Sequence, residues 1–125
     1  ASDYVRVVTP LPAETRGWIG KAEIASMKPS AVIMTVGRGP VIDEPALIRA
    51  LQSGAIRGAA LDVFTHEPLP ADHPFWQMRN VLLSPHTADR VEGFLIPAFE
   101  CFFENLARFR NGNPLLNVVD KHAGY

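Results

Sequence analysis

One stretch of the sequence, AVIMTV at residues 31–36, constrains the fold more than any other feature. It is apolar throughout and has the length of a strand, without the alternation that marks a strand with one solvated face. Continuous apolarity of this kind is typical of a strand covered on both sides, as in a parallel sheet. The stretch therefore predicts a buried strand in an α/β fold.

Strand and helix signals alternate along the rest of the chain. Strands are predicted at 4–8, 31–36, 58–64 and 80–85. Helices are predicted at 21–29, at 44–53 between an Asp43 N-cap and a Gly54 C-cap, and from Asp89 to about Arg110 with a kink near Gly93 caused by Pro97. Residues 67–78 are rich in proline and are predicted to form a surface loop. This order of elements predicts a parallel α/β sheet.

Length and charge narrow the function classes. The chain has 125 residues, which is the length of a single domain. It has 12 Lys and Arg against 13 Asp and Glu, for a net charge of -1, and contains no block of like charge. A surface that binds nucleic acid or a membrane is therefore not expected. No run reaches the roughly 18 apolar residues of a membrane span, and no signal peptide is seen, so we expect a cytoplasmic protein. The absence of an initiator Met predicts that the chain is a fragment.

Polar residues follow the predicted strands, where ligands sit in parallel sheets. The segment Gly37-Arg38-Gly39, which follows the second predicted strand, resembles the start of the dinucleotide fingerprint G-x-G-x-x-G. The third glycine is replaced by Ile42, and no acidic residue follows at the required distance, so the phosphate-loop interpretation fails. We instead expect the two glycines to give the backbone torsional freedom that turns Arg38 into the ligand crevice.

Arg38 has two interpretations. A guanidinium presents a planar fork of donors that matches a carboxylate, so Arg38 could bind an acidic ligand. Alternatively, it could form an ion pair with Asp43 or Glu44, which follow shortly afterwards in the sequence.

Three further residues stand at strand ends. His86 follows Ser84-Pro85 and can exchange a proton near neutrality, or it could instead bond its own turn. Glu67 could orient such an imidazole, or it could be an ordinary exposed loop residue. Asp62 either caps a turn or faces the crevice. Together these groups would suit a 2-keto or 2-hydroxy acid.

The remaining histidines are not expected to take part in a site. His66, His73 and His122 lie in the predicted loop or tail, where a solvated side chain is the simpler interpretation. No H-E-x-x-H motif and no Cys/His cluster occurs, so no metal site is predicted.

Several motifs agree in order and spacing with a known family. The stretches are TPLPAETRGWIG, MKPSAVIMTVGRGPVIDEPAL, GAALDVFTHEPLP, NVLLSPHTA and NPLLNVVD. They resemble the carboxyl-terminal half of the D-isomer-specific 2-hydroxyacid dehydrogenases, including the glyoxylate/hydroxypyruvate reductase group. The resemblance implies the second half of a Rossmann-type parallel sheet: residues 1–110 would be the carboxyl-terminal part of the NAD(P)-binding domain, and residues 111–125 a tail leading to the substrate domain.

The resemblance also implies roles for individual residues. Arg38 would bind the substrate, Glu67 would be the carboxylate paired with the histidine, and His86 would be the acid/base. The residues implied to line NAD or NADP are Thr9, Pro10, Val36, Gly37, Arg38, Asp62 and His86.

The implied reaction is hydride transfer between a nicotinamide and a small 2-keto acid, in a protein that is a homodimer at full length. The fragment alone would be inactive. Two alternatives stay open: an NAD(H)-sensing, corepressor-like interaction protein on the same fold, and a non-functional fragment. The residues that choose NAD or NADP lie upstream in this family, so the sequence does not specify the cofactor.

Overall fold

The computed structural model describes residues 2–122, and contacts divide the chain into two compact units between Thr87 and Ala88. The first unit contains four parallel strands in the order β1-β2-β3-β4, which confirms the predicted sheet. They are β1 (Tyr4–Val7), β2 (Val32–Thr35), β3 (Gly58–Leu61) and β4 (Val81–Leu83). The last residues of the four strands lie in register, at one edge of the sheet.

Two α-helices connect the first three strands. They are α1 (Lys21–Ala25) and α2 (Glu44–Gln52). The predicted N-cap of α2 is confirmed, because the Asp43 carboxylate accepts a hydrogen bond from the Ala46 N–H at 3.0 Å. Gly54 follows the helix end in the left-handed conformation, with φ of 69°. Helix α1 is shorter than the predicted 21–29, because the approach to Pro29 disfavours helical backbone.

The core of the first unit lies between the sheet and α2. Ile33 and Thr35 on one face of β2 are buried, whereas Val32 and Met34 on the other face are only partly buried. The covering of both faces that AVIMTV predicts is therefore complete on one face only. The apolar face of α2 packs into the same core with four buried residues: Ala46, Leu47, Ala50 and Leu51. Every strand is shorter than predicted, since pairing ends where polar residues and prolines begin.

The second unit contains α3 (Ile96–Arg110). The predicted helix start at Asp89 is wrong, because residues 89–95 form turns and Gly93 is left-handed, with φ of 73°. Pro97 therefore lies in the first turn of α3, where its missing N–H is not needed, and it causes no kink. The side chain of Asn105 bonds both the N–H and the carbonyl of Leu116, which holds the following segment on the helix.

Within residues 2–122, no helix has both the length and the apolar character needed to cross a membrane. The predicted tail, residues 111–125, extends beyond the described part of the chain at residues 123–125.

Candidate active site

His86 lies just beyond β4, at the carboxyl edge of the sheet. Its backbone is left-handed, with φ of 52°. Histidine adopts this conformation more readily than most residues, but it still carries a free-energy cost. The imidazole is 45% exposed, so packing against the ring alone does not hold it. The turn that carries His86 must be fixed by other contacts.

Asp62, at the end of β3, supplies two of those contacts. Its Oδ1 accepts hydrogen bonds from the Ser84 hydroxyl at 2.5 Å and from the Thr87 N–H at 2.9 Å. Asp62 is only 3% exposed, and hydrogen bonds to a buried carboxylate are among the stronger ones. Because the two donors flank His86 in the sequence, Asp62 clamps the turn on both sides.

Glu67 and His86 form a hydrogen-bonded pair, as the resemblance implies. Glu67 Oε2 lies 2.6 Å from His86 Nδ1, and Glu67 Oε1 accepts the backbone N–H of Phe64 at 2.9 Å. An ionised carboxylate only accepts, so we assign the proton to Nδ1 of the ring. Glu67 is an exposed loop residue, as the alternative held, but it is not an ordinary one, because its carboxylate bonds His86 and the Phe64 N–H. The alternative of a histidine bonded only within its own turn is wrong.

The ionisation of Glu67 follows from these contacts. Partial burial would raise the pKa of Glu67, but the hydrogen bonds from His86 and Phe64, with the charges of His86 and Arg38, outweigh it. The pKa of Glu67 is consequently lower than its ordinary value. The ionised Glu67 carboxylate therefore accepts the Nδ1–H of His86 and fixes the orientation of the ring.

Arg38 follows β2 and is exposed to solvent. Its Nη1 donates to the Gly37 carbonyl at 2.8 Å, and within the described chain it forms no salt bridge. The predicted alternative, an ion pair with Asp43 or Glu44, is wrong because those carboxylates are bonded elsewhere. Because β2 ends at the same edge of the sheet as β3 and β4, Arg38 follows its strand on the edge that also carries His86, and its charge contributes to lowering the pKa of Glu67.

The two glycines beside Arg38 do not act as predicted. Neither has the left-handed backbone that torsional freedom would require. Instead, both allow close approach: a Cβ at Gly37 would lie 2.8 Å from the Thr9 carbonyl oxygen, and one at Gly39 would overlap the main chain of Phe64. The glycines are needed because neighbouring backbone leaves no space for a side chain.

Comparison with known proteins now identifies the family. Residues 1–88 match the family described as D-isomer specific 2-hydroxyacid dehydrogenase, NAD binding domain. The chain belongs to this dehydrogenase family.

Relatives and solved structures agree with this assignment. The chain is 46% identical over 121 residues to glyoxylate/hydroxypyruvate reductase B of Enterobacter sp. (strain 638), covering 97% of this chain and 37% of the relative. It matches a D-isomer specific 2-hydroxyacid dehydrogenase from Xanthobacter autotrophicus Py2, in complex with NADPH and MES, with a TM-score of 0.89 and 45% identity; the match covers 99% of this chain and 50% of the other.

A third match is the NADPH-dependent glyoxylate/hydroxypyruvate reductase from Sinorhizobium meliloti, in complex with NADP and sulfate. Its TM-score is 0.87 and its identity 36%, over 99% of this chain and 40% of that one. The chain thus spans between about a third and a half of the length of these dehydrogenases.

The predicted cofactor residues of this family member lie at the carboxyl ends of β1 and β2. Thr9 and Pro10 follow β1, while Val36 and Gly37 follow β2. The Thr9 hydroxyl oxygen is buried and has no hydrogen-bond partner in the described chain, so a polar group of a bound dinucleotide would satisfy it. The residues present therefore fit a cofactor here. Asp62 is occupied in holding the His86 turn, and its place beside the nicotinamide stays a prediction.

A cavity of about 620 Å³ opens beside the Glu67–His86 pair. The rest of its lining is mostly apolar: Phe64, Pro68, Leu69, Trp76, Leu83, Ser84 and Pro85. These wall residues were not predicted from the sequence. The one available signal was the short apolar segment PFWQM in the predicted loop 67–78, whose residues Pro74–Gln77 form a 3-10 helix.

A second His–Glu pair was also missed. Glu44 Oε1 lies 3.3 Å from His73 Nε2, and Glu44 Oε2 accepts the Thr65 N–H at 3.2 Å. The predicted solvation of His73 is wrong, since its side chain is 15% exposed. Glu44 thus connects the start of α2 to the loop that contains Glu67. Among the side chains of residues 2–122, no cluster of three His, Cys, Asp or Glu residues could hold a metal ion.

Proposed function

We propose that this chain belongs to an NAD(P)-dependent reductase of small 2-keto acids, of the glyoxylate or hydroxypyruvate type. The observation that carries the proposal is the Glu67–His86 pair at the carboxyl edge of the sheet. Arg38, which forms no salt bridge in the described chain, follows β2 at the same edge. These are the groups that reduction of a keto acid requires: a proton donor and a cation for the carboxylate.

His86 is the proposed proton donor. Its Nδ1 is engaged by Glu67, and in the described chain its Nε2 has no hydrogen-bond partner, so Nε2 is the atom left for substrate. When the keto acid is reduced, the carbonyl oxygen gains electron density, and Nε2–H transfers its proton to that oxygen. Ionised Glu67 stabilises the imidazolium before the transfer. Proton donation of this kind contributes about 10² to 10⁴ in rate.

Arg38 is the proposed substrate-binding group. Its planar fork of N–H donors can hold the carboxylate of a 2-keto acid through two parallel hydrogen bonds. In a 2-keto acid the carbonyl carbon is bonded directly to the carboxylate carbon. An acid held by Arg38 would therefore place its carbonyl on the same side of the site. Any small 2-keto acid meets these requirements, and the glyoxylate and hydroxypyruvate assignment draws its support from the named relatives.

The residues proposed to hold the dinucleotide are Thr9, Pro10, Val36, Gly37 and Asp62. Bound NAD(P)H supplies the hydride for the carbonyl carbon. The chain's own contribution is the buried Thr9 hydroxyl, which needs a partner, and the close β1–β2 approach at Gly37.

The proposed organisation extends beyond the chain. Residues 1–110 would provide the carboxyl-terminal part of the NAD(P)-binding domain, and residues 111–125 would lead to a substrate domain. We further propose a homodimer as the working form of the complete protein, which sedimentation of that protein would test.

The test is an assay of the complete natural protein with NADPH or NADH and with glyoxylate or hydroxypyruvate, following oxidation of the nicotinamide. We expect turnover, and we expect R38K to raise KM strongly because a lysine ammonium cannot make the bidentate contact. R57K is the matched control, since Arg57 contacts Tyr4 at the other end of the sheet. Absence of turnover, combined with a change of oligomeric state on adding NADH, would favour the corepressor-like alternative.

A further inference from the structure

Gly39 is buried against the backbone of Phe64, across the gap between the segments that follow β2 and β3. A Cβ at Gly39 would overlap the carbonyl carbon and oxygen of Phe64 and would lie 2.7 Å from its Cα. All three atoms belong to the main chain, so no side-chain rotation could relieve the overlap. Any other residue at 39 would push the two segments apart.

Phe64 connects this contact to the proton donor. Its N–H bonds Glu67 Oε1 at 2.9 Å, and Glu67 Oε2 bonds His86 Nδ1 at 2.6 Å. A shift of the Phe64 main chain therefore moves the carboxylate, and the carboxylate orients the imidazole. Hydrogen bonds at these distances lengthen when one partner shifts by a few tenths of an ångström.

On its other side, Gly39 is joined to the substrate-binding candidate. Arg38 precedes it directly, and the Arg38 carbonyl accepts the Val41 N–H at 3.2 Å in the 3-10 turn that Gly39 begins. Gly39 thus contacts the main chain of Phe64, which anchors Glu67, and directly follows Arg38, which carries the guanidinium.

We propose that Gly39 is a positioning residue that sets the spacing between the Arg38 guanidinium and the Glu67–His86 pair. It acts through the main chain of Phe64, and only a residue without a Cβ allows the contact. The inference rests on the proposed function for its effect on catalysis, and on the contacts alone for its effect on the histidine.

The experiment compares G39A with G58A in the complete natural protein. Gly58 is a matched control because its Cβ would also meet main chain, the Asn80 carbonyl oxygen at 2.6 Å, but at the amino end of β3. We expect both variants to lower the melting temperature. Only G39A should lower kcat, by about 10-fold to 100-fold, and shift the pH profile of kcat/KM.

A second readout does not depend on turnover. The Nδ1 proton of His86, assigned by its loss in H86N, is observed by NMR in the wild type and both variants. We expect its resonance to move upfield in G39A, because the hydrogen bond to Glu67 lengthens, and to be unchanged in G58A. If the wild type reduces no keto acid, the proposed function fails while this resonance still tests the inference.

The inference is overturned if folded G39A behaves like G58A in both readouts. If G39A does not fold, E67D tests the same link without adding an atom to the core. The shorter side chain cannot reach Phe64 N–H and His86 together, so the His86 Nδ1 resonance should also move upfield. An unchanged resonance in E67D would overturn the inference.

Discussion

The turn that carries His86 depends on a hydrogen bond from Ser84 to the buried Asp62 carboxylate. In S84A the carboxylate loses one of its donors but keeps the Thr87 N–H, and the loss of a hydrogen bond to a charged group costs about 1.5–3 kcal/mol. We expect the free energy of unfolding to fall by that amount and kcat to fall with it. The measurement is a denaturant titration combined with the keto-acid assay.

S53A is the control for that substitution. The Ser53 hydroxyl, like that of Ser84, donates a hydrogen bond, but its acceptor is the Ala50 carbonyl near the end of α2, outside the site. S53A should reduce the free energy of unfolding without changing kcat. Equal effects of S84A and S53A on kcat would contradict the role given to Asp62.

The lowered pKa of Glu67 predicts a pH dependence of stability. Because the native pKa lies below the ordinary value of 4.5, ionised Glu67 stabilises the fold above about pH 4.5, and this contribution is lost as the pH falls through the native pKa. The difference in unfolding free energy between the wild type and E67Q should therefore shrink on acidification. A difference that stays constant from neutral to acid pH would disagree with this account.

At the scale of residues, the sequence predicted Arg38, Glu67 and His86 at strand ends. Arg38 and His86 follow β2 and β4 closely, whereas Glu67 lies farther along the loop after β3, which ends at Leu61. It could not show the N–H of Phe64 as the anchor of Glu67, nor the clamp that Asp62 makes. Both depend on which backbone atoms face a carboxylate after folding. The torsional role given to the glycines was wrong for the same reason, because close approach is a property of two segments.

Among the helices and strands, the start of α3 is tested most sharply by a substitution of Pro97. Since α3 begins at Ile96, Pro97 lies in the first turn, and P97A should change the unfolding free energy by less than about 1 kcal/mol. A proline inside a helix from Asp89 would cost about 3 kcal/mol relative to alanine. A denaturant titration of P97A separates the two cases, and stabilisation near the larger figure would restore the longer helix.

The Glu44 carboxylate joins α2 to the loop containing Glu67, which predicts a loop effect from a helix substitution. E44Q leaves the Thr65 N–H and His73 to share one acceptor, so we expect a loss of about 1–3 kcal/mol and faster amide exchange at Thr65. E100Q, an exposed substitution on α3, is the control. Unchanged exchange at Thr65 in E44Q would show that the contact does not hold the loop.

The sheet was predictable because continuous apolar runs of strand length favour the strands of a parallel sheet, whatever the loops do. The limits of α3 and the fold of the loop 67–78 were not. Helix starts near Pro and Gly depend on which residue takes the left-handed turn, and Gly93 takes it here. The burial of His73 depends on Glu44, which is distant in the sequence.

For the whole molecule, the chain carries the proposed acid/base and substrate cation but only part of the length of its relatives. The proposed activity is accordingly a proposal for the complete protein, in which we expect the described sheet edge to form one side of the site.

The most direct test of the account is kcat/KM of the complete protein for glyoxylate or hydroxypyruvate in H86N beside H122N. Asparagine tolerates the left-handed backbone at position 86, so the fold should persist, while His122 is exposed and belongs to the second unit. We predict that H86N lowers kcat/KM by about 10² to 10⁴ and that H122N leaves it unchanged. Equal activity in the two variants would contradict His86 as the proton donor.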